Sequence, residues 1–120
     1  MGQIHINAVF SDIDPNRLDE FKDLASELLH ITNGDAGVVQ YDWYLSEDGT
    51  RCVVRETYTD SSAVIAHLPL VGEQLAKIGG LCGVVEGDLL GDASPVLQAM
   101  IEASGAHLCR PLQSKWIDHH

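Results

Sequence analysis

The sequence predicts a single α+β domain, and three observations support this fold class. Residues 3–10 alternate between two sets of side chains, as a strand does. Residues 37–46 and 50–58 are rich in Val, Tyr, Trp and Thr, and Ser46–Gly49 between them is a typical hairpin turn. Helical patterns of apolar residues flank this hairpin on both sides. The order strand, helix, strand, strand, helix, strand is that of the ferredoxin-like split βαβ fold, with one antiparallel sheet.

The first helix is predicted to begin at Asp14-Pro15, because an aspartate cap followed by proline is a typical helix start. After the hairpin, a short helix is predicted from Ser61 to His67. Pro69 is expected to interrupt it, since proline lacks the amide that continues helical bonding. A second helical piece is then expected before a fourth strand over residues 81–90.

Residues 91–120 exceed the minimal fold, whose core spans about residues 3–90 of a single domain covering 1–120. Ser94-Pro95 predicts another helix start, and Gly105 predicts its end. Residues 106–112 are expected to add a short edge strand. This C-terminal extension would either pack on a partner subunit or cover a pocket, and the sequence leaves both alternatives open.

Composition excludes several functional classes. The 120 residues carry a formal net charge of −11, which disfavours nucleic acids and anionic membranes as partners. The chain has no apolar run of membrane-spanning length and no signal-peptide pattern at residues 1–10, so a cytoplasmic protein is expected. No P-loop, Rossmann fingerprint or metal-ligand spacing occurs, and no cofactor or metal is predicted. His119 and His120 end the chain as a tag would and are left out of the candidate site.

The most informative stretch is residues 56–67, Glu-Thr-Tyr-Thr-Asp-Ser-Ser-Ala-Val-Ile-Ala-His, which joins a predicted strand to a predicted helix. Its pattern Glu-x-Tyr-x-Asp-Ser-x-Ala-x-x-x-His resembles the signature of the antibiotic biosynthesis monooxygenase family. The resemblance implies a homodimeric α+β barrel with one small-molecule cleft per subunit. The dimer is also expected from an apolar sheet face without helices, to which Ile4, Ile6 and Phe10 are assigned.

His67 is the candidate proton-transfer residue, because a histidine can take or give a proton near neutral pH. The alternative is a packing residue at a helix end, bonded to backbone. Glu56 is expected to orient His67 or an arginine such as Arg55, or else to serve as a structural ion pair or cap inside the fold. Strand positions assign three aromatic side chains to a cleft wall or, alternatively, to the core: Tyr41, Trp43 and Tyr58.

His5 and Asn7 lie on the second face of the first strand, where polar side chains need water or a ligand. In cofactor-free and haem-degrading members of the resembled family, an asparagine on the first strand faces the substrate cleft. Asn7 has a similar place and is a catalytic candidate, with His5 as a substrate contact. Haem itself is not expected, because the haem-degrading relatives carry a histidine ligand on the helix after the motif of residues 56–67, and residues 70–80 of this chain contain no histidine.

The resemblance implies a cofactor-independent monooxygenase that acts on a small aromatic, quinol or polyketide-like molecule. In such chemistry the substrate anion reacts with oxygen directly. Two alternatives remain: an isomerase of a small oxygenated metabolite that uses the same base, and a non-catalytic dimeric module that binds a small molecule.

Overall fold

The computed structural model describes residues 2–115, so His119 and His120 lie outside the described residues. Nine elements follow one another in this part of the chain. Eight of them are labelled here, and the ninth is a short 3-10 turn at Pro15–Arg17. The labelled elements are β1 (Ile4–Ile13), α1 (Leu18–Asn33), β2 (Val38–Leu45), β3 (Cys52–Tyr58), α2 (Ser61–Gly79), β4 (Cys82–Leu90), α3 (Pro95–Ser104) and β5 (His107–Cys109).

The five strands form one sheet in the order β2-β3-β1-β4-β5. The first four strands pair antiparallel, while β5 pairs parallel to β4 at the edge. Within residues 2–115 the sheet is open, with β2 and β5 at its edges. The predicted ferredoxin-like α+β fold is therefore confirmed, and the predicted edge strand of the C-terminal extension makes the sheet mixed.

All three helices cover the same face of the sheet. Beneath α1 and the second half of α2 lies one apolar cluster that includes Phe10 and Val54. Beneath α3 and the first half of α2 lies another, which includes Ile4 and Leu89. Burying these side chains on one face supplies most of the apolar area that stabilises the domain.

The assignment of Ile4, Ile6 and Phe10 to a helix-free face is wrong. Ile4 and Phe10 are 0% and 3% exposed beneath the helices, and Ile6 packs against the same core. Alternation in β1 shows which side chains share a face, but it does not show which face the helices cover. The helix-free face carries the other set, a mixture of polar and apolar residues in which Tyr44 and Val84 are 53% and 42% exposed.

The predicted break at Pro69 is also wrong, because α2 is continuous from Ser61 to Gly79 with Pro69 inside it. A proline within a helix removes one backbone bond and costs about 3 kcal/mol. Val64, Val71 and Ile78 are buried on both sides of the proline. A single helix keeps all three against the sheet, and this burial offsets the lost bond.

The predicted cap at Ser94 begins α3, whereas the predicted cap at Asp14 begins the short 3-10 turn and α1 itself starts only at Leu18. Asp14 accepts a hydrogen bond from the Asn16 amide at 2.9 Å, and Asp60 accepts one from the Ala63 amide at 2.9 Å. Ser94 caps α3, whose end at Gly105 has the left-handed φ of 82° that favours glycine. The Ser61 hydroxyl accepts a bond from the Ser94 amide at 3.0 Å and so ties the start of α3 to the start of α2.

Candidate functional site

A cleft of about 390 Å³ lies on the helix-covered face, bounded by the sheet, α2 and α3. Its size is within the range of sites for small organic molecules. Most of its wall is apolar and comes from all three of these elements. The apolar lining side chains are Ile6, Ala8, Phe10, Leu68, Val71, Leu75, Val85, Met100 and Ile101.

Four of the sequence-predicted site residues meet in this cleft: Tyr41, Glu56, Tyr58 and His67. Tyr58 and His67 are 0% and 1% exposed, whereas Val85, which lines the cleft from β4, is 52% exposed. The polar group therefore lies at the buried end of the cleft, and the apolar walls lead out to solvent. Such a combination of apolar walls and a few convergent polar groups is typical of a ligand site.

Glu56 has a carboxyl group with an unusually high pKa. Burial raises the pKa of its carboxyl from 4.5 to about 7, and a hydrogen bond from Tyr58 opposes the rise only in part. The Tyr58 hydroxyl donates this bond to Glu56 Oε1 at 2.5 Å. Burial and the adjacent Glu56 also raise the pKa of the Tyr58 phenol, which stays protonated as a donor. Near neutral pH the Glu56 carboxyl therefore exchanges a proton readily.

His67 is paired with a residue that the sequence had not suggested. Its Nδ1 lies 3.3 Å from Oδ2 of Asp35, in the loop between α1 and β2. Its Nε2 is buried and has no hydrogen-bond partner among the described residues. When Nδ1–H donates to the Asp35 carboxylate, Nε2 is left as a buried acceptor. Thr32 Oγ1 and Trp43 Nε1 are likewise buried without a partner among the described residues, but of these three residues His67 is the one that lines the cleft, where a ligand could supply the missing bond.

Asp35 is held in place by its own turn. Its Oδ1 accepts a bond from the Gly37 amide at 3.0 Å, and its backbone amide donates to the Thr32 carbonyl at 2.9 Å. Gly37 lies directly against α2, where an added Cβ would stand 2.8 Å from the Ala63 Cβ. The loop is thereby packed onto the helix that carries His67. An Asp-x-Gly turn at a helix end was the sequence signal for this residue, but it marks many ordinary turns as well.

Of the two remaining aromatic residues predicted for the cleft wall, Tyr41 lies in the cleft and Trp43 lies in the core. The Tyr41 ring meets the His67 ring edge to face, with centroids 5.7 Å apart. Burial, with a smaller contribution from Glu56, raises the pKa of the Tyr41 phenol. Trp43 does not line the cleft, because it stacks on Phe10 at 5.8 Å and packs against Phe21 in the core. The aromatic wall therefore consists of Tyr41 and Tyr58.

His5 and Asn7 lie on the opposite, helix-free face, beside a second hollow of about 240 Å³. His5 Nδ1 is 3.0 Å from the Thr57 hydroxyl, which donates to Gln40 Oε1 at 2.9 Å. Gln40 in turn donates to Asp42 at 2.9 Å. A single protomer thus does not bring Asn7 or His5 to His67, because adjacent strand residues point to opposite faces.

The C-terminal extension covers the cleft, which answers the question that the sequence left open for this protomer. Met100 and Ile101 of α3 line it, and Ser104–His107 complete the wall where α3 passes into β5. Residues 95–109 are called the C-terminal arm below. Because β5 bonds to β4 and the start of α3 bonds to Ser61, the arm is fixed to the sheet and to α2.

In the described part of the chain, no helix is long and apolar enough to cross a membrane. Nor do these residues include a group of three or more His, Cys, Asp or Glu side chains that could hold a metal ion.

Fold and cleft together define a small α+β domain with a ligand cleft on the helix-covered face of a ferredoxin-like sheet. The profile of the antibiotic biosynthesis monooxygenase family matches residues 3–69, more than half of the chain, and the protein belongs to this family. The resemblance inferred from residues 56–67 is thereby confirmed. No curated protein matches the sequence significantly.

Solved structures support the same fold. MupZ from Pseudomonas fluorescens is 18% identical with a TM-score of 0.83, and the match covers 98% of this chain and 97% of MupZ. Rv0793 from Mycobacterium tuberculosis is 24% identical with a TM-score of 0.67, covering 78% of this chain and 97% of Rv0793. A Caulobacter crescentus protein provisionally assigned as an antibiotic biosynthesis monooxygenase is 20% identical, with a TM-score of 0.63 and coverages of 72% and 87%. A match over 98% of this chain includes the C-terminal arm.

Proposed function

We propose that this protein is a proton-transfer enzyme that acts on a small, largely apolar oxygenated molecule bound in the cleft. Its leading reaction is the cofactor-independent monooxygenation of a phenolic, quinol or polyketide-like aromatic. One observation carries the proposal. The Glu56 carboxyl, whose pKa is raised to about 7, lies in the same apolar cleft as a buried histidine whose Nε2 has no partner among the described residues.

His67 is the base in this proposal. Its Nε2 removes a proton from the substrate, and Asp35 stabilises the imidazolium that forms. Glu56 in its neutral form, together with the phenols of Tyr41 and Tyr58, stabilises the negative oxygen of the substrate anion. The apolar walls exclude water and strengthen these interactions. Glu56 thus takes the place that the sequence had suggested for Asn7.

The oxidation step balances without a cofactor when molecular oxygen is the oxidant. After the substrate anion forms, its electron-rich carbon bonds to one atom of oxygen and yields a peroxide. Loss of water from the peroxide breaks the oxygen–oxygen bond and leaves a carbonyl group. A CH₂ group and O₂ become a C=O group and water, and the protons pass through His67.

An isomerase is the second candidate, and the same side chains favour it. A base and a neutral carboxylic acid in one cleft can move a proton from one carbon to another through an enol, with no oxygen consumed. A module that binds its ligand without turnover is the third candidate. We also propose a homodimer, formed through the helix-free sheet face, because Tyr44 and Val84 expose apolar surface there.

Oxygen uptake with a panel of anthrones and hydroquinones tests the leading reaction. His67→Ala should lower turnover about a hundredfold, the usual scale of general acid–base catalysis, and Asp35→Asn about tenfold. His30→Ala is the matched control, since His30 is exposed on α1 away from the cleft. Proton exchange or isomerisation without oxygen uptake would favour the isomerase. Equal turnover in wild type and His67→Ala would remove His67 from the mechanism.

A further inference from the structure

The side chains around the cleft include an acid but no permanently positive group. Among the described residues that line it, none is Lys or Arg. Glu56 and His67 are the lining residues on this face whose side chains can carry a full charge near neutral pH. Glu86 and His107 also border the cleft, but they pair in register with residues of the helix-free set, so their side chains point to the other face. A bound carboxylate, sulfate or phosphate would find no fixed positive charge there, and a buried unpaired anion is strongly disfavoured.

The C-terminal arm makes this environment more apolar. Met100 and Ile101 face the cleft opposite the sheet, and Gly105 and Ala106 add little polar surface where α3 turns into β5. The rest of the protein reinforces the effect, because its formal net charge of −11 repels anions at longer range. A ligand therefore gains affinity from apolar area and loses it for every negative charge.

We propose that the C-terminal arm makes the cleft selective for uncharged, predominantly apolar molecules, and that Met100 is a specificity-determining residue. This inference rests on the proposal that the cleft is the substrate site. The hydroxyl or carbonyl group of the substrate lies at the buried end of the cleft, and its apolar part packs against α3. Anionic derivatives of the same skeleton, including carboxylates and phosphate or thioester conjugates of charged carriers, are rejected.

Two fluorescent probes that share a skeleton test the charge class directly. N-phenyl-1-naphthylamine is uncharged, and 8-anilinonaphthalene-1-sulfonate is its sulfonated counterpart. The wild-type protein should bind the uncharged probe at least tenfold more tightly, because the sulfonate must be buried without a cation. Tighter or equal binding of the sulfonate, or no binding of the uncharged probe, would overturn the inference.

Met100→Lys tests the arm, since lysine has nearly the length of methionine and places a positive charge on the wall. The ratio of the two affinities should shift toward the sulfonate by at least tenfold. Val96→Lys is the matched control, because it adds the same charge to α3 at a position that is 61% exposed and does not line the cleft. An equal shift in both variants would assign the effect to net charge and not to the arm.

The two proposals can fail separately. Probe selectivity is measured on the wild-type protein and the role of His67 on turnover, so selectivity with turnover that does not depend on His67 leaves this inference standing and overturns the proposed catalytic role. Probe selectivity that is absent while turnover still depends on His67 overturns the inference and leaves the proposed function standing. If Met100→Lys does not fold, as judged by its thermal midpoint, the comparison of the two probes on wild-type protein still decides the charge class.

Discussion

The two faces of the sheet differ in whether their polar side chains have hydrogen-bond partners. On the helix-free face, His5, Thr57 and Gln40 form a chain of hydrogen bonds in which each side chain has a partner. On the helix-covered face, the neighbouring residue Glu56 holds a carboxyl with a raised pKa, and His67 leaves one ring nitrogen without a partner among the described residues. Since Glu56 and Thr57 are adjacent in β3, the same strand supplies a paired surface on one side and a reactive site on the other.

This contrast shows that burial beneath helices, and not residue type, separates the two sets of polar groups. Both faces contain a histidine and carboxylates. Only the helix-covered face removes these groups from water, and removal from water shifts a pKa and strengthens electrostatic interactions. Experiments that perturb one face while leaving the other intact therefore test both the proposed dimer and the proposed site.

The largest effect is expected at the helix-free face. Val84→Glu places a carboxylate in the proposed dimer interface twice, once from each copy, and should weaken the dimer by several kcal/mol, or roughly a thousandfold in Kd. Leu70→Glu is the control, because Leu70 is 56% exposed on α2, on the helix-covered side. Sedimentation equilibrium measures both. A wild-type protein that is monomeric at micromolar concentration would contradict the proposed dimer.

Turnover is expected to depend on Glu56 and not on Arg55, the preceding residue of β3, whose side chain lies on the opposite face. Glu56→Ala should lower turnover about a hundredfold, because the neutral acid that stabilises the substrate anion is lost. In the wild type, activity should fall as the pH rises through about 7, where this acid ionises. Glu56→Gln keeps a donor and should lose that fall. Arg55→Ala, on the helix-free face, should change turnover little, and an equal loss in both variants would assign the effect to the fold.

A smaller effect is expected on stability. The pKa of Glu56 is 4.5 in the unfolded chain and about 7 in the folded protein, so the folded state holds more protons between these values. The free energy of unfolding should therefore fall as the pH rises from about 4.5 through 7. Relative to Glu56→Gln, the loss is about 1 to 3 kcal/mol, reduced because the cleft admits water. Urea denaturation of both proteins at about pH 5 and about pH 8 measures it, and a constant difference would contradict the raised pKa.

Local signals in the sequence predicted the fold well. Alternation identified β1, the Ser46–Gly49 turn identified the hairpin, and Ser94 identified the start of α3, because each signal depends on neighbours in the chain. The cap at Asp14 identified the 3-10 turn that leads into α1. Which sheet face the helices cover depends on the whole arrangement, so Ile6 and Phe10 were assigned to the wrong one. The continuity of α2 through Pro69 likewise depends on buried contacts on both sides of the proline.

The candidate site was predicted in part, for the same reason. Glu56, Tyr58 and His67 lie within one strand-to-helix segment, and the family resemblance identified them together. Asp35 is 32 residues from His67 and meets it only through the packing of Gly37 on α2. Trp43 and Tyr41 have the same strand parity, and only the tertiary structure shows that one lies in the core and the other in the cleft.

Pro69 is expected to speed the local opening of α2. Without an amide hydrogen at position 69, the Ile65 carbonyl loses its usual helical partner in the turn that carries His67. That turn is held by side-chain packing and by Asp35, and less by backbone bonding. We therefore expect the amides of residues 64–68 to exchange with deuterium faster than those of residues 72–78 in the same helix.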